Sequence, residues 1–247
     1  MNLTPIKLFS AQVISHIALL YWLFVYANIQ NTLIVFIVYF FTGCIGMSVT
    51  FHRLLTHKSF KAPAWFEVFG TFCATIGLTG SSLSWTAAHR KHHTSADRLG
   101  DPHSPHTLGY FRAQYLSMFS DVDIKKSPLI RSKLHRAFHK YYIHINIFWF
   151  LFIFSLFGMW GVTTLYLVPA ALLWNAGSLI NTVCHTKKLG YTRYNIPDKS
   201  TNNPLLGVLM WGEGWHNNHH RYQNRPNIGE KFWEIDIGFW IIKMVRL

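Results

Sequence analysis

Two long stretches of the chain contain no Asp, Glu, Lys or Arg. The first covers residues 8–51 and the second covers residues 141–186, and both are rich in Leu, Ile, Val and Phe. One helix crosses the hydrocarbon core of a bilayer with about 20 residues, so each stretch is long enough for two crossings. The pattern therefore predicts two helical hairpins embedded in a membrane.

Polar residues or glycines mark the turn of each predicted hairpin. Residues 28–31, with the sequence Asn-Ile-Gln-Asn, interrupt the first stretch, and Gly158 and Gly161 interrupt the second. We therefore predict four crossings, at about residues 10–27, 32–50, 142–158 and 162–184.

The remaining polar segments are expected to form a cap of helices outside the membrane. They cover about residues 52–140 and 187–247, so residues 1–247 form a single all-α integral membrane domain. A further apolar stretch, residues 64–83, is expected to be a re-entrant or interfacial helix. A fifth crossing there would place the histidines on its two sides at opposite faces of the membrane.

The distribution of charge sets the predicted orientation. The chain has 23 Lys and Arg against 10 Asp and Glu, a formal net charge of +13. Basic residues such as Lys7, Arg53, Arg136 and Lys187 flank the uncharged stretches, and the turns carry no charge. The positive-inside rule therefore places the cap and both termini on the cytoplasmic side. The basic residues form no separate tract, which argues against nucleic acid binding and favours an anionic membrane surface.

Nine of the 15 histidines fall into a regular pattern. One HxxxxH motif, two HxxHH motifs and a single histidine four residues after Asn181 supply them: His52, His57, His89, His92, His93, His185, His216, His219 and His220. Residues at positions i, i+3 and i+4 share one face of a helix, so each HxxHH motif directs three imidazoles towards one place.

Nine imidazoles are too many for a single ion and fit two first-row metal ions with four or five ligands each. Imidazole favours Zn, Cu, Fe or Ni. Zinc enzymes commonly use three protein ligands and a water, so two irons that bind and reduce dioxygen fit better. Soluble di-iron bundles need several glutamates in Glu-x-x-His motifs, and Glu213 with His216 is the one match in this chain.

These motifs resemble the three histidine boxes of the membrane fatty acid desaturase family, of the stearoyl (delta-9) type. The boxes are HRLLTH at 52–57, HRKHH at 89–93 and HNNHH at 216–220, and Asn181 and His185 match a further ligand motif. The resemblance implies an enzyme that uses dioxygen to introduce a cis double bond into a saturated fatty acyl chain. It also implies a narrow tunnel beneath two irons, and zinc in expressed protein would be a substitute for iron.

The resemblance further implies roles for individual residues. One iron would be bound by His52, His89, His92, His185 and His219. The other iron would be bound by His57, His93, His216 and His220, with Asn181 bound through a water. Trp85 and Trp174 would line the tunnel, and Arg90 and Lys91 would contact the substrate headgroup. Animal acyl-CoA members carry a basic residue where this chain has Ala87, which raises acyl-lipid beside acyl-CoA as the substrate.

The electron donor is expected to be ferredoxin or cytochrome b5 on a separate chain, because no cytochrome b5 domain is present.

Two alternative functions remain at this point. A hydroxylase on the same scaffold would use the same metals and add oxygen to the substrate. A metal transporter would place its histidines inside the crossings, whereas these lie at the ends of the crossings and beyond them. His135 and His139 are interpreted as part of a basic, solvated stripe.

Overall fold

A computed structural model of the chain describes residues 4–247 and folds them into helices joined by loops. Three apolar helical segments among these residues are long enough to cross a membrane: Pro5–Val25, Ile29–Thr56 and Tyr142–Val183. Their outer surfaces carry bare apolar side chains, such as Phe24 with 89% and Ile29 with 81% of its surface exposed. Continuous apolar surface of this kind is stable in contact with lipid, so the chain is a membrane protein.

The first hairpin joins α1 (Pro5–Val25) to α2 (Ile29–Tyr39). The Asn28 side chain accepts a hydrogen bond from the Asn31 backbone N–H at 2.8 Å and so caps the start of α2. The turn therefore lies at residues 26–28, slightly before the polar break that marks it in the sequence. A capping Asn belongs at a helix start, so residues 29–31 join the helix.

Beyond Tyr39 the second segment continues as a π-helix, Phe40–Thr56. Its hydrogen bonds join residues five apart, and the last one runs from the His57 N–H to the His52 carbonyl at 3.1 Å. The Thr50 hydroxyl donates to the Ile45 carbonyl at 2.7 Å, five residues earlier. Because a π-helix places residues five apart on one face, His52 and His57 lie one above the other.

The third segment contains α8 (Tyr142–Val162), a π-helical turn (Thr163–Leu167) and α9 (Val168–Val183), but it is not straight. The Tyr166 hydroxyl donates to Asn146 Oδ1 at 2.9 Å. In a straight helix, residues 20 apart would be separated by about 30 Å. The segment therefore folds back on itself, and the reversal lies at Gly158, where φ is 60° and ψ is −153°.

Polar contacts join the two hairpins inside the apolar bundle. The Trp22 indole N–H donates to the Thr164 hydroxyl at 3.0 Å. His16 and Asn175 meet at 2.8 Å. Because these groups would be unsatisfied in lipid, their pairing fixes α1 against α9 and its preceding turn.

The predicted interfacial stretch forms α3 (Ala64–Ile76), which at 13 residues is shorter than the about 20 that a crossing needs. α3 packs directly on the π-helix: a Cβ added at Gly70 would collide with Thr50 Oγ1, and one at Gly46 with the Ala74 backbone. The two glycines thus allow the backbones to touch. This contact holds α3 beside the histidine-bearing end of the π-helix.

The polar segments form α4 and a set of shorter helices. α4 is Ser82–Ser95, and its first turn is capped by the Ser81 hydroxyl. The shorter helices are α5 (Pro105–Leu108), α6 (Tyr110–Tyr115), α7 (Lys133–Lys140), α10 (Pro204–Leu209), α11 (His216–Arg221) and α12 (Ile237–Val245), with 3-10 turns at Ser117–Phe119, Ile124–Lys126 and Lys187–Leu189.

The interpretation of His135 and His139 as a solvated stripe is wrong. His135 is fully buried, with its ring nitrogens 3.0 Å from Glu67 Oε1 and 3.1 Å from the Ser82 hydroxyl. His139 meets the Ser81 hydroxyl at 2.7 Å. These side chains dock α7 on α3 and α4, because a buried imidazole is stable when both nitrogens have partners.

The reversal at Gly158 gives the first prediction. A side chain at this φ and ψ is strained, although no atom lies within 4 Å of the added Cβ. Gly158→Ala should therefore destabilise the protein by about 1–3 kcal/mol and lower its melting temperature in detergent. Gly177→Ala is the matched control, because Gly177 is helical and also has open space around its Cβ. Equal melting temperatures for the two variants would contradict a strained turn at Gly158.

Candidate metal centre

The nine histidines of the sequence pattern come together in two adjacent groups. His52 and His57 stand at the end of the π-helix, α4 and α11 each supply three, and His185 follows α9. Within each group all the candidate ligand atoms lie within 4.8 Å of one another. Group one is His52, His57, His89, His93 and His219, and group two is His92, His185, His216 and His220.

The spacing of the ring nitrogens fits a metal ion in each group. In group one the Nε2 atoms of His52 and His219 are 3.0 Å apart, and those of His93 and His89 are 2.9 Å apart. In group two His216 Nε2 lies 3.2 Å from that of His185. Ligands about 2.1 Å from one ion lie about 3.0 Å apart as neighbours in an octahedron. Both groups therefore fit an imidazole-bound transition-metal ion.

Carboxylates behind four of the histidines fix the direction of their rings. In each pair the Nδ1 atom contacts a carboxylate oxygen: His52 with Glu213 at 2.7 Å, His92 with Asp101 at 2.9 Å, His185 with Asp97 at 2.8 Å and His220 with Asp198 at 3.0 Å. A proton held on Nδ1 leaves the Nε2 lone pair free to face the ion. Such partners orient metal-binding histidines and raise their basicity.

The environment also favours the uncharged form of the ligands. Burial, reinforced by the charges of neighbouring histidines, lowers the pKa values of His89, His93, His216 and His219 well below their usual range. Burial in the same surroundings lowers the pKa of His220 to about 4. These imidazoles are therefore neutral at physiological pH, which is the form that binds a metal ion.

The carboxylates behind the histidines are held as anions. Burial alone raises the pKa of Asp101, but hydrogen bonds from His92 and two backbone N–H groups lower it below its usual value. Burial is likewise outweighed at Glu213, where the charges of His52 and Arg53 lower the pKa to about 2. The negative charge of these carboxylates would partly offset the positive charge of metal ions held by the histidines.

Arg53 ties this site to the C-terminal helix. Its side chain is 2% exposed, and its Nη1 donates to both carboxylate oxygens of Asp236 at 2.9 Å. Its Nη2 donates to Glu213 Oε1 at 3.1 Å. Asp236 in turn caps α12 by accepting from the Phe239 N–H. The charge of Arg53 is therefore buried in an ion-pair network rather than exposed at the membrane surface.

The division of the histidines differs from the one that the family resemblance implied. His57 and His93 lie in group one rather than in the second set, and His92 and His185 lie in group two rather than in the first. The first box stays together because the π-helix aligns residues five apart. Each HxxHH box divides instead, since its i and i+4 histidines enter one group and its i+3 histidine enters the other.

The contacts of Asp97 and Asp198 with the candidate ligands were not predicted from the sequence. Both lie in loops, where no helical spacing connects them to His185 or His220. The scarcity of acidic residues could have indicated such contacts. The chain has 10 acidic residues in all, and four of them contact histidines of the two groups.

A cavity of about 400 Å³ lies against both groups of histidines. His52 and His89 from group one and His216 from group two form part of its wall. Trp85 and Trp174, expected to line a tunnel, both line it, and so does Asn181. The Trp85 ring stacks on His89 with centroids 4.7 Å apart. Apolar side chains make up another part of the wall: Leu8, Met47, Met118, Val122, Ile124, Leu173, Ile180 and Met210.

The two basic residues expected at the substrate headgroup lie elsewhere. Arg90 is exposed, and Lys91 donates through Nζ to the Asp121 carbonyl at 2.5 Å. Neither residue is part of the cavity wall. Their predicted contact with substrate stays a prediction.

The buried carboxylate of Asp101 gives the second prediction. Asp101→Asn keeps the shape of the side chain but removes the charge behind His92, so metal affinity should fall about 10–100-fold. Metal analysis during competition with a chelator measures the loss. Asp121→Asn is the control, because Asp121 is exposed and its carboxylate contacts no histidine. Equal retention of metal by the two variants would show that Asp101 does not orient a ligand.

Comparisons with known proteins agree with this site. The family model described as fatty acid desaturase matches residues 28–227. The chain is 32% identical to an sn-1 stearoyl-lipid 9-desaturase of Anabaena variabilis over 85% of its own length and 79% of the relative's. It is 34% identical to a delta-9 acyl-lipid desaturase of Arabidopsis thaliana (83% and 68%) and 31% identical to an acyl-CoA C20 delta-5 desaturase of Anemone leveillei (85% and 69%). The resemblance read from the histidine boxes is confirmed: this chain is an oxidoreductase that belongs to the fatty acid desaturase family.

Proposed function

We propose that this enzyme introduces a cis double bond, at the delta-9 position, into a saturated fatty acyl chain carried by a lipid or by coenzyme A. Two irons held by the nine histidines, with Asn181 bound through a water, would form the centre, and dioxygen would be the co-substrate. The observation that carries the proposal is the shared wall of the cavity. Histidines of both groups and apolar side chains line the same space, so an acyl chain there would lie against both metals.

The cavity wall selects the carbon that reacts. A saturated methylene has no polar group to bind, so its position depends on how the whole chain fits its surroundings. Met47, Leu173 and Met210 offer the acyl chain an apolar surface and exclude water. His52, His89 and His216 mark the part of the wall where the reacting carbons would lie.

The histidines, oriented by the carboxylates behind them, would hold the two metal ions in place. When bound, two irons would supply the activation of dioxygen that removes two hydrogens from the acyl chain. Glu213 and Asp101 would keep the rings of His52 and His92 turned towards the centre. Asn181 lines the same cavity as His216 of group two, which supports the proposed binding of Asn181 through a water.

The part of the cavity wall contributed by α1 supports an acyl-lipid substrate. Thr4, Pro5 and Leu8, at the start of α1, belong to this wall. α1 is an apolar helix of spanning length, so the cavity adjoins a helix that would contact the acyl chains of the bilayer. The two relatives whose names describe stearoyl-lipid and acyl-lipid desaturases agree with this substrate form, whereas a third is named for acyl-CoA.

The proposed membrane arrangement has four crossings. They are α1, α2 with its π-helix, and the two parts of the third segment before and after Gly158. The histidine groups, the polar segments and both termini would lie on the cytoplasmic side. Lys140 precedes the second hairpin, and Lys187 and Lys188 follow it, whereas the turns at residues 26–28 and at Gly158 carry no charge. This asymmetry favours a cytoplasmic location for the charged ends.

Cysteine labelling tests that arrangement and gives the third prediction. The native cysteines Cys44, Cys73 and Cys184 are buried, so they should give little background. In intact cells, a membrane-impermeant maleimide should label Ile29→Cys, at the start of α2 next to the first turn. It should label Phe232→Cys only after permeabilisation, although Phe232 is 99% exposed. Labelling of both variants in intact cells would overturn the orientation.

Product analysis tests the reaction and gives the fourth prediction. Expression in a host that lacks its own desaturase should produce a new cis-monoene in membrane lipids, and mass spectrometry should place the double bond at delta-9. His92→Ala removes a ligand of group two and should abolish the product, whereas His144→Ala, an exposed histidine outside both groups, should retain it.

Three outcomes of the same experiment would revise the proposal. A hydroxylated acyl chain would identify a hydroxylase on this scaffold. A monoene confined to acyl-CoA would change the substrate form. A monoene from His92→Ala at the original level would contradict the ligand assignment.

A further inference from the structure

A second cavity reaches the histidines from the polar part of the chain. It has a volume of about 290 Å³, and its wall contains His93 of group one and His220 of group two. The other wall residues come from the end of α4, from two loops and from the end of α11 with the residues after it: Thr94, Ala96, Arg98, Ile196, Pro197, Asp198, Arg221 and Gln223. We call this the basic cleft. We call the cavity of about 400 Å³ described above the acyl cavity. The basic cleft shares no wall residue with it, so the two spaces approach the centre separately.

Positive charge surrounds the basic cleft. Arg98 and Arg221 belong to its wall, Lys199 follows Asp198, and Arg90 lies one helical turn before His93 and Thr94. All four cations are exposed, and no ion pair joins any of them to an acid within residues 4–247. Asp198, the one acid in the wall, contacts His220. The rim therefore carries uncompensated positive charge that attracts an acidic partner.

An exposed apolar side chain follows one of these cations in the chain. Leu99, which follows Arg98, is 95% exposed, and Pro197 of the cleft wall is exposed as well. Apolar contacts surrounded by charged residues are typical of protein interfaces, where arginine is enriched. A small molecule such as dioxygen would need neither the charge nor the exposed leucine.

The proposed reaction requires such a partner. Removal of two hydrogens from the acyl chain supplies two of the four electrons that reduce dioxygen to two waters. Two further electrons and two protons must come from outside. The acyl cavity holds the substrate at that moment, so the electrons need a separate route to the buried centre.

We propose that the basic cleft is the docking surface for the electron donor, a small acidic protein that carries one electron at a time. The inference rests on the proposed function. Two donor molecules in succession would each be oxidised by one electron, which enters the centre through the ring edges of His93 and His220. Arg98 and Arg221 would attract and orient the donor, and Leu99 would pack against it.

Charge reversal at the cleft tests this proposal. The variant R98E/R221E is compared with R131E/K133E, which reverses the same number of exposed charges outside the cleft. Each iron-loaded protein, in lipid nanodiscs, receives a plant-type [2Fe–2S] ferredoxin or the soluble haem domain of cytochrome b5. KM for the donor should rise about tenfold or more in R98E/R221E and lose most of its salt dependence. The iron content and the final extent of reduction by excess dithionite should match the wild type, and R131E/K133E should behave as the wild type throughout.

The outcomes separate the docking surface from the reaction. An unchanged KM in R98E/R221E, or an equal rise in R131E/K133E, would overturn the docking surface alone. If neither protein donor reduces the wild-type centre but dithionite does, the proposed class of donor is wrong. If no monoene forms with any reductant, the proposed function fails, and the docking surface fails with it.

Discussion

The fold depends on one constraint, the convergence of nine imidazoles on two small volumes. Ring nitrogens about 3 Å apart, most of them buried, can share few protons among themselves, and a cation satisfies them together. Their positions must therefore be rigid before the ion arrives. The π-helix fixes His52 and His57, while α4 and α11 fix three histidines each. Carboxylates behind four of the rings limit their rotation.

Buried charge connects that centre to the rest of the molecule. Arg53 lies between Glu213, which holds His52, and Asp236, which caps α12. An ion-pair network of this kind gains little net stability, because the charges must first be removed from water. Loss of one member leaves the others unpaired, however, so the network couples the C-terminal helix to the orientation of a ligand.

In the proposed function, separate routes to the centre would resolve a conflict between the substrate and the reductant. The acyl cavity is largely apolar and is lined in part by residues at the start of α1, whereas the basic cleft is polar and carries positive charge. An oxidising centre must exclude water around the substrate and still admit electrons. The i and i+4 histidines of each HxxHH box serve this arrangement, because His89 and His216 line the acyl cavity while His93 and His220 line the cleft. Both routes therefore contact both groups.

The sequence by itself determined the helical class, the apolar segments of spanning length and the identity of the nine histidines. These properties are local, since charge-free length and the spacing of residues along a helix can be read from neighbours in the chain. The tertiary structure decided which histidines share a group, because that depends on the π-helical pitch at His52 and on the angle at which α4 faces α11. It also decided that Asp97 and Asp198 lie behind His185 and His220, and that Arg53 is buried. Those contacts join residues up to 183 positions apart in the chain, and no local pattern encodes them.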